Sequence, residues 1–247
     1  MAYSVAVSGE VARSRIVPIK TAIANCYLVL GAKPYLVDTN TPRAGARIIR
    51  ALEANGLAPG DLGFIFITHH HYDHAGCLAE MRRLSGAKVA AGAKDAPVIS
   101  GMRTPPGPGG ISPAGKLMRR LPPSWLEAYQ RYERSAVDLE LSDGDVVEEL
   151  GLEVLELPGH TEGGIALYCR AERLAFIGDI VGNIMGRLGP PFLSFSYDKA
   201  AILASMRRLA ALDLDYAYPG HGAVIGPGAA EKIGALAGKL ASRWVSA

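Results

Sequence analysis

The chain reads as an α+β protein built from two similar halves, with packed sheets inside and helices outside. Three observations predict this. A β-rich run and then an α/β stretch are followed by a second β-rich run and a second α/β stretch. Short apolar segments cut by Gly, Pro, Asp and Asn alternate with longer segments of helical spacing. All six histidines, finally, stand at the ends of apolar runs. No clear internal repeat accompanies the two halves.

VARSRIVPIK leads into ANCYLVL (24–30), and Gly31-Ala-Lys separates that run from PYLVD (34–38). Two apolar runs around a Gly-containing turn predict a hairpin. From Thr41-Pro42 the spacing of Ile48, Ile49 and Leu52 predicts a helix, stopped at Asn55-Gly56. FIFIT, ending at Thr68, is a buried-type strand. Cys77, Leu78, Met81 and Leu84 then repeat at helical spacing from His74, closed by Ser85-Gly86. AKVAAG (87–92) is a further strand.

Residues 101–122 are rich in Pro and Gly, and the segment from Ser100 to Ser135 carries Arg103, Lys116, Arg119, Arg120, Arg131 and Arg134 against Glu127 and Glu133. This predicts an insertion or lid over about 101–134, with a helix in SWLEAYQRYER, inside a single domain covering 1–247. The β signal returns in AVDLEL, DVVEEL, LEVLEL, GIALYC and RLAFIGD. Tyr197 to Leu212 is helical, LDYAYP (214–219) a strand, and Ala229 to Val245 a closing helix.

A formal net charge of only +2 gives no global electrostatic case for nucleic acid or acidic membranes. Met1 to Glu10 lacks a basic segment followed by an apolar run, and no stretch of about 18 apolar residues occurs, so a cytoplasmic protein is expected. Cys26, Cys77 and Cys169, odd in number and far apart, are expected to be buried free thiols.

The stretch THHHYDHAG crowds His69, His70, His71, Asp73 and His74 directly behind a strand. A metal ion needs several converging lone pairs from neutral imidazoles and carboxylates. His69 and His71 are two apart, so alternation aims both the same way and His70 and Tyr72 elsewhere. Asp73 and His74 fall where a helix begins. A cluster this tight cannot close a metal site alone. LEVLELPGH, however, ends at His160 and LDYAYPGH at His221, each an apolar run with a Pro-Gly turn, and LAFIGD ends at Asp179. Strand C-termini are a favoured place to assemble a site from distant segments.

H-x-H-x-D-H, then PGHT, an apolar strand ending in GD, and PGHG resemble the metallo-β-lactamase-fold hydrolase superfamily, across Ile16 to Val245. The extra histidine of THHH-x-DHAG is similar to the glyoxalase II branch, the hydroxyacylglutathione hydrolases. The resemblance implies a four-layered αβ/βα sandwich with its metal site at the sheet edges. It implies two divalent metal ions, zinc by default with iron or manganese as alternatives. His69, His71 and His160 would surround one, Asp73, His74 and His221 the other, with Asp179 bridging. His70 stands outside that set, and Thr68, Thr161 and Gly76 match supporting positions. The chain departs from the glyoxalase II branch in two places. IVGNIMGR follows Asp179 instead of a Cys-Gly-Arg element, and one helix follows His221. Nor does a Tyr stand close behind Asp179, where quorum-lactone hydrolases carry one.

The implied activity is hydrolysis of a small ester-like substrate, a thioester or lactone, by a hydroxide shared between two metals, with Asp73 orienting it and carrying its proton. Tyr72, Arg119 and Arg120 are candidate substrate contacts. A persulfide dioxygenase with a single iron shares the fold and is the alternative, and a nuclease is a third class that the low charge opposes. Expected partners are a small-molecule substrate, with no nucleic acid and no membrane. The oligomeric state is open, a homodimer among the options.

Overall fold

A computed structural model describes residues 15–21, 23–122, 124 and 131–245. Most of the helix expected in SWLEAYQRYER lies outside them. Two sheets face each other. The first runs β1 (Arg15–Lys20), β2 (Asn25–Leu30), β3 (Tyr35–Val37), β4 (Phe64–Ile67), β5 (Lys88–Gly92) and β6 (Leu139–Leu141) in spatial order. Its first three strands are antiparallel, as the predicted hairpin requires, and β3 to β6 are parallel. The second sheet is formed by β7 (Val146–Val147), β8 (Leu152–Glu156), β9 (Ile165–Cys169), β10 (Leu174–Gly178) and a strand added from further on, β13 (Tyr216–Pro219), parallel to β10. Between them in sequence lie β11 (Gly182–Ile184) and β12 (Arg187–Gly189), a separate two-stranded hairpin.

Strand alternation explains the layering. Phe64 and Phe66 of β4, with Tyr27, Val29 and Val37, meet Val154, Ile165, Leu167 and Phe176 between the sheets. Ile65 and Ile67 point the other way, onto Ile48 and Leu52 of α1 (Gly45–Glu53) and Leu78 and Met81 of a helix over Leu78–Ser85. In the second half Ala166, Tyr168, Ala175 and Ile177 pack outward, against Ile202 and Met206 and against Ile233 and Ala237 of two helices near the end of the chain. A strand buried on both faces reads as a continuous apolar run, which is why FIFI and LAFIG carry no alternation. The result is helices, sheet, sheet, helices: the four-layered sandwich.

The helix expected from His74 onward is two helices, α2 (Tyr72–Ala75) and α3 (Leu78–Ser85). Gly76 divides them. Its N–H donates to Asn40 O at 2.9 Å, and a Cβ there would lie 2.1 Å from Tyr72 O and 2.6 Å from Pro42 Cδ. The spacing pattern survives the break because both segments bury the same face. Two short helices follow, α4 (Ala96–Ile99) and α5 (Pro113–Met118). The next, α6 (Lys199–Ala210), starts later than the sequence suggests because Asp198 caps it, accepting from Ala200 N and Ala201 N at 2.8 and 3.0 Å. The closing helix α7 spans Ala229–Val245 as expected. The hairpin of β11 and β12 has no sequence signal. Its turn is Met185-Gly186, both at positive φ (53° and 76°), where Asn-Gly would have announced it. Cys26, Cys77 and Cys169 are buried and unbridged. No helix among the described residues is long and apolar enough to cross a membrane.

Candidate metal centre

Five chain segments deliver donors to one end of the sandwich. His69 and His71 leave β4, and Asp73 and His74 lie on α2, for which His71 is the N-cap. His160 follows β8, Asp179 follows β10 and His221 follows β13. All are buried except Asp73, which is half-buried. Donor atoms of His69, His71 and His160 lie within 4.8 Å of one another, and so do those of Asp73, His74 and His221. A third such group, His69, His74 and Asp179, joins the two. Asp179 is central: its Oδ2 is 3.4 Å from His160 Nε2 and 3.0 Å from His221 Nε2, and its Oδ1 is 3.3 Å from His74 Nε2. Gly220 makes room for this packing, since a Cβ there would stand 2.2 Å from Asp179 Oδ1 and 2.5 Å from His74 Cε1.

The far side of each imidazole explains its orientation. His221 Nδ1 donates to Ile23 O at 2.6 Å. His74 Nδ1 meets Asp38 Oδ2 at 2.8 Å. Thr68 Oγ1 gives its proton to Asp38 (2.9 Å) and so accepts from His69 Nδ1 at 3.1 Å. Ser196 Oγ gives its proton to Phe192 O (3.0 Å) and accepts from His160 Nδ1 at 2.9 Å. In each case Nδ1 carries a hydrogen and Nε2 points to the centre, where its lone pair is available once the ring is neutral. His69 Nε2, His74 Nε2, His160 Nε2 and Asp179 Oδ1 are buried without a hydrogen-bond partner among the described residues. Orphaned polar atoms of this kind cost about 1–3 kcal/mol each unless something satisfies them. Converging lone pairs on imidazole and carboxylate fit divalent cations.

The electrostatics agree. Burial, aided by neighbouring imidazoles, holds His69 and His71 well below the ordinary histidine value, and takes His160 down to about 4. These are neutral donors. Burial also opposes charge on His74, yet Asp179, Asp38 and Asp73 raise it to about 10, so this corner of the site calls for positive charge. Burial works to raise Asp179 too, but His74 and His221 keep it ionised, well below the usual carboxylate range. Burial raises Asp73.

His70 turns away, as alternation predicts. Its backbone N–H and its Nδ1 both meet Asp95 Oδ2, at 3.0 and 2.9 Å, while Asp95 Oδ1 accepts from Gly163 N at 2.9 Å in the other half. Tyr132 Oη donates to His70 O at 2.8 Å. Sequence reasoning missed Asp38, Asp95 and Ser196. Asp38 alone offered a signal, as a carboxylate closing an apolar strand.

His71, Asp73, His160, Asp179 and His221 line a cavity of about 610 Å³ with Tyr72 beside them, while His69 and His74 lie outside its lining. Arg119 and Arg120 are exposed and are not among the lining residues. The described part of the insertion instead packs on the segment behind His160: Gly109 N donates to Ser194 O at 2.8 Å and Tyr197 Oη to Gly107 O at 2.5 Å.

A family profile described as "Metallo-beta-lactamase superfamily" matches residues 20–221. The chain belongs to that superfamily. Within it, the chain is 35% identical over 176 residues to a hydroxyacylglutathione hydrolase of Cereibacter sphaeroides, covering 70% of this chain and 51% of that protein. It is 30% identical over 174 residues to one of Ectopseudomonas mendocina, covering 69% and 50%. The chain therefore spans about half the length of these curated relatives. A metallo-beta-lactamase family protein from Thermus thermophilus superposes with a TM-score of 0.69 at 24% identity, covering 94% of this chain and 79% of the other. A subclass B3 metallo-beta-lactamase of Bradyrhizobium japonicum gives 0.65 at 20%, covering 94% and 92%. At these identities the superpositions speak for the α+β sandwich of the metallo-β-lactamase fold alone; the likeness to glyoxalase II rests on the sequence relatives.

Proposed function

We propose that the chain is a metal-dependent hydrolase that cleaves a small thioester from a two-cation site. The observation that carries this is the set of orphaned, pre-oriented donor atoms converging at one end of the sandwich, beside a cavity that His71, Asp73, His160, Asp179 and His221 line. His69, His71 and His160 would hold one cation and Asp73, His74 and His221 the other, with Asp179 between; zinc suits the donors, and iron or manganese are compatible. Bound there, divalent cations lower the pKa of water towards about 7 and polarise a carbonyl oxygen.

The chain's residues do the rest. Asp38, Ser196, Thr68 and the Ile23 carbonyl keep the imidazoles aimed before substrate arrives, so little reorganisation is left for the reaction. Asp73 is the least buried of the acidic donors, and it lines the cavity. Its carboxylate is placed to take a proton from the attacking water and return it to the departing sulfur. In the net reaction the acyl C–S bond breaks, a C–O bond to water forms, and the thiol gains the proton. Both sheets supply donors, so the chain works as one unit in this reading. The insertion packs on Ser194 and Tyr197, which flank Phe195 and Ser196. A cytoplasmic setting suits the free thiols.

Purified protein should contain about two metals per chain and hydrolyse acyl thioesters. Asp73→Ala should lose that activity by at least about 100-fold. Wild-type turnover in that variant, or one iron per chain with thiol-dependent oxygen uptake, would overturn the reading; the second result would favour the dioxygenase class.

A further inference from the structure

Large apolar side chains are exposed around the mouth of the cavity. Ile23, Ile184, Phe192 and Met185 are 50%, 48%, 54% and 95% exposed, and all four line it. Scattered single apolar residues on a surface need no explanation, but a contiguous set rimming one cavity marks a binding surface. The rings flank both half-sites: Phe195 lies 6.2 Å from His71 and Phe192 5.5 Å from His221, centroid to centroid.

Ile184 and Met185 do not hang on a free loop. Asn183 N donates to His221 O at 3.1 Å and Ala223 N donates to Asn183 O at 2.8 Å, tying β11 to the turn that carries His221. The apolar wall is thus held in register with a donor of the centre. Against it, Lys20 is the one Lys or Arg lining the cavity among the described residues. A substrate that brings several carboxylates would find little to meet them there.

We propose that the substrate's acyl group is an apolar chain or ring, seated along Ile23, Ile184, Met185, Phe192 and Phe195, and that this wall sets the specificity. The inference rests on the hydrolase reading for its chemistry, but the wall itself makes a separate claim about binding. It selects an apolar acyl thioester over a short hydroxyacyl one carried on a thiol with two carboxylates.

Two ligand series separate the claims. The first is a ladder of N-acetylcysteamine thioesters with acetyl, butanoyl, hexanoyl and octanoyl groups, alongside lactoyl esters of N-acetylcysteamine and of glutathione. The second is the matching set of 2-oxoalkyl thioethers, which cannot hydrolyse, with binding followed by calorimetry on zinc-loaded protein. Complete burial would gain roughly fourfold in affinity per methylene, so a half-covered wall should give about 30-fold or more from two to eight carbons. Met185→Asn and Phe192→Ser, both at exposed positions, should each cut the octanoyl-to-acetyl ratio by about fivefold. Asn tolerates the positive φ at Met185. Affinity that does not depend on chain length, or a preference for the lactoyl glutathione ester over octanoyl, overturns the apolar wall. Thioethers that bind with the expected slope while no thioester is hydrolysed support the wall and overturn the hydrolase reading. Hydrolysis with no chain-length slope does the reverse.

Discussion

Asp38 shows how much of the centre is decided by one side chain that contributes nothing to the motif. Its carboxylate receives Thr68 N and Oγ1 and faces His74 Nδ1, so it sets the direction of two imidazoles at once. Asp38→Asn should weaken zinc binding by about 10- to 100-fold while the fold persists, as read by competition with a chromophoric chelator and by circular dichroism. Asp95 plays a different part. With His70 it makes a buried clamp between the halves, and losing a buried charged partner costs about 3–5 kcal/mol. Although burial opposes it, His70 and the surrounding donors lower Asp95 below its ordinary value of 3.8. A carboxylate held low in the folded state stabilises fully above that ordinary value, and the contribution disappears as pH falls through the folded one. Asp95→Asn should therefore lower Tm most at neutral pH. The gap to wild type should close on acidification below about pH 4, with zinc content at pH 7 unchanged.

At the scale of elements, the break between α2 and α3 aims Asp73 and His74 into the site while Leu78 and Met81 stay in the core. Gly76 is the hinge of that geometry. A Cβ would collide with backbone at Tyr72 and Asn40, so the helices would have to shift. Gly76→Ala should cost about 1–3 kcal/mol, seen as a lower urea midpoint. It should also lower zinc affinity, because α2 carries two donors. The insertion is a second lesson. Its composition suggested an insertion or lid, and its described part packs on the stretch from Ser194 to Tyr197, through Gly109 and Tyr197. Pro and Gly marked it as irregular but did not say which surface it would pack on, because that depends on contacts about 85 residues away in sequence.

For the whole molecule, the centre is a seam. Donors from the first half and the second half meet at one edge of two sheets that share a core. Cations bound there would hold the halves together as well as serve chemistry. At free metal about 100 times Kd, linkage stabilises by about 2.7 kcal/mol per site. Dialysis against a strong chelator should thus lower Tm by several degrees, and zinc should restore it. A chelator-treated protein with unchanged Tm would show that the halves dock without help from the site.

The layers, most strand positions and the candidate donors were legible because each rests on local pattern, whereas their division into two half-sites came from the family resemblance. Apolar runs, Pro-Gly turns and histidines at strand ends are properties of adjacent residues. FIFI had to be a buried strand, and His69 and His71 had to share a side while His70 did not. Partners across the fold were not legible. Asp38 closes an apolar strand and Asp95 looks like an ordinary acidic residue, but nothing local says that the fold brings one against His74 and the other against His70. The hairpin at Met185-Gly186 gave no turn signal, and its pairing with the His221 turn is purely tertiary. The sequence by itself thus determined which groups are candidate donors and where along the chain they stand, because lone-pair chemistry and strand periodicity are local. Only the tertiary structure decided which Nδ1 partners aim them and which apolar side chains rim the cavity. Those relations are set by packing between segments far apart in the chain, where spacing carries no information.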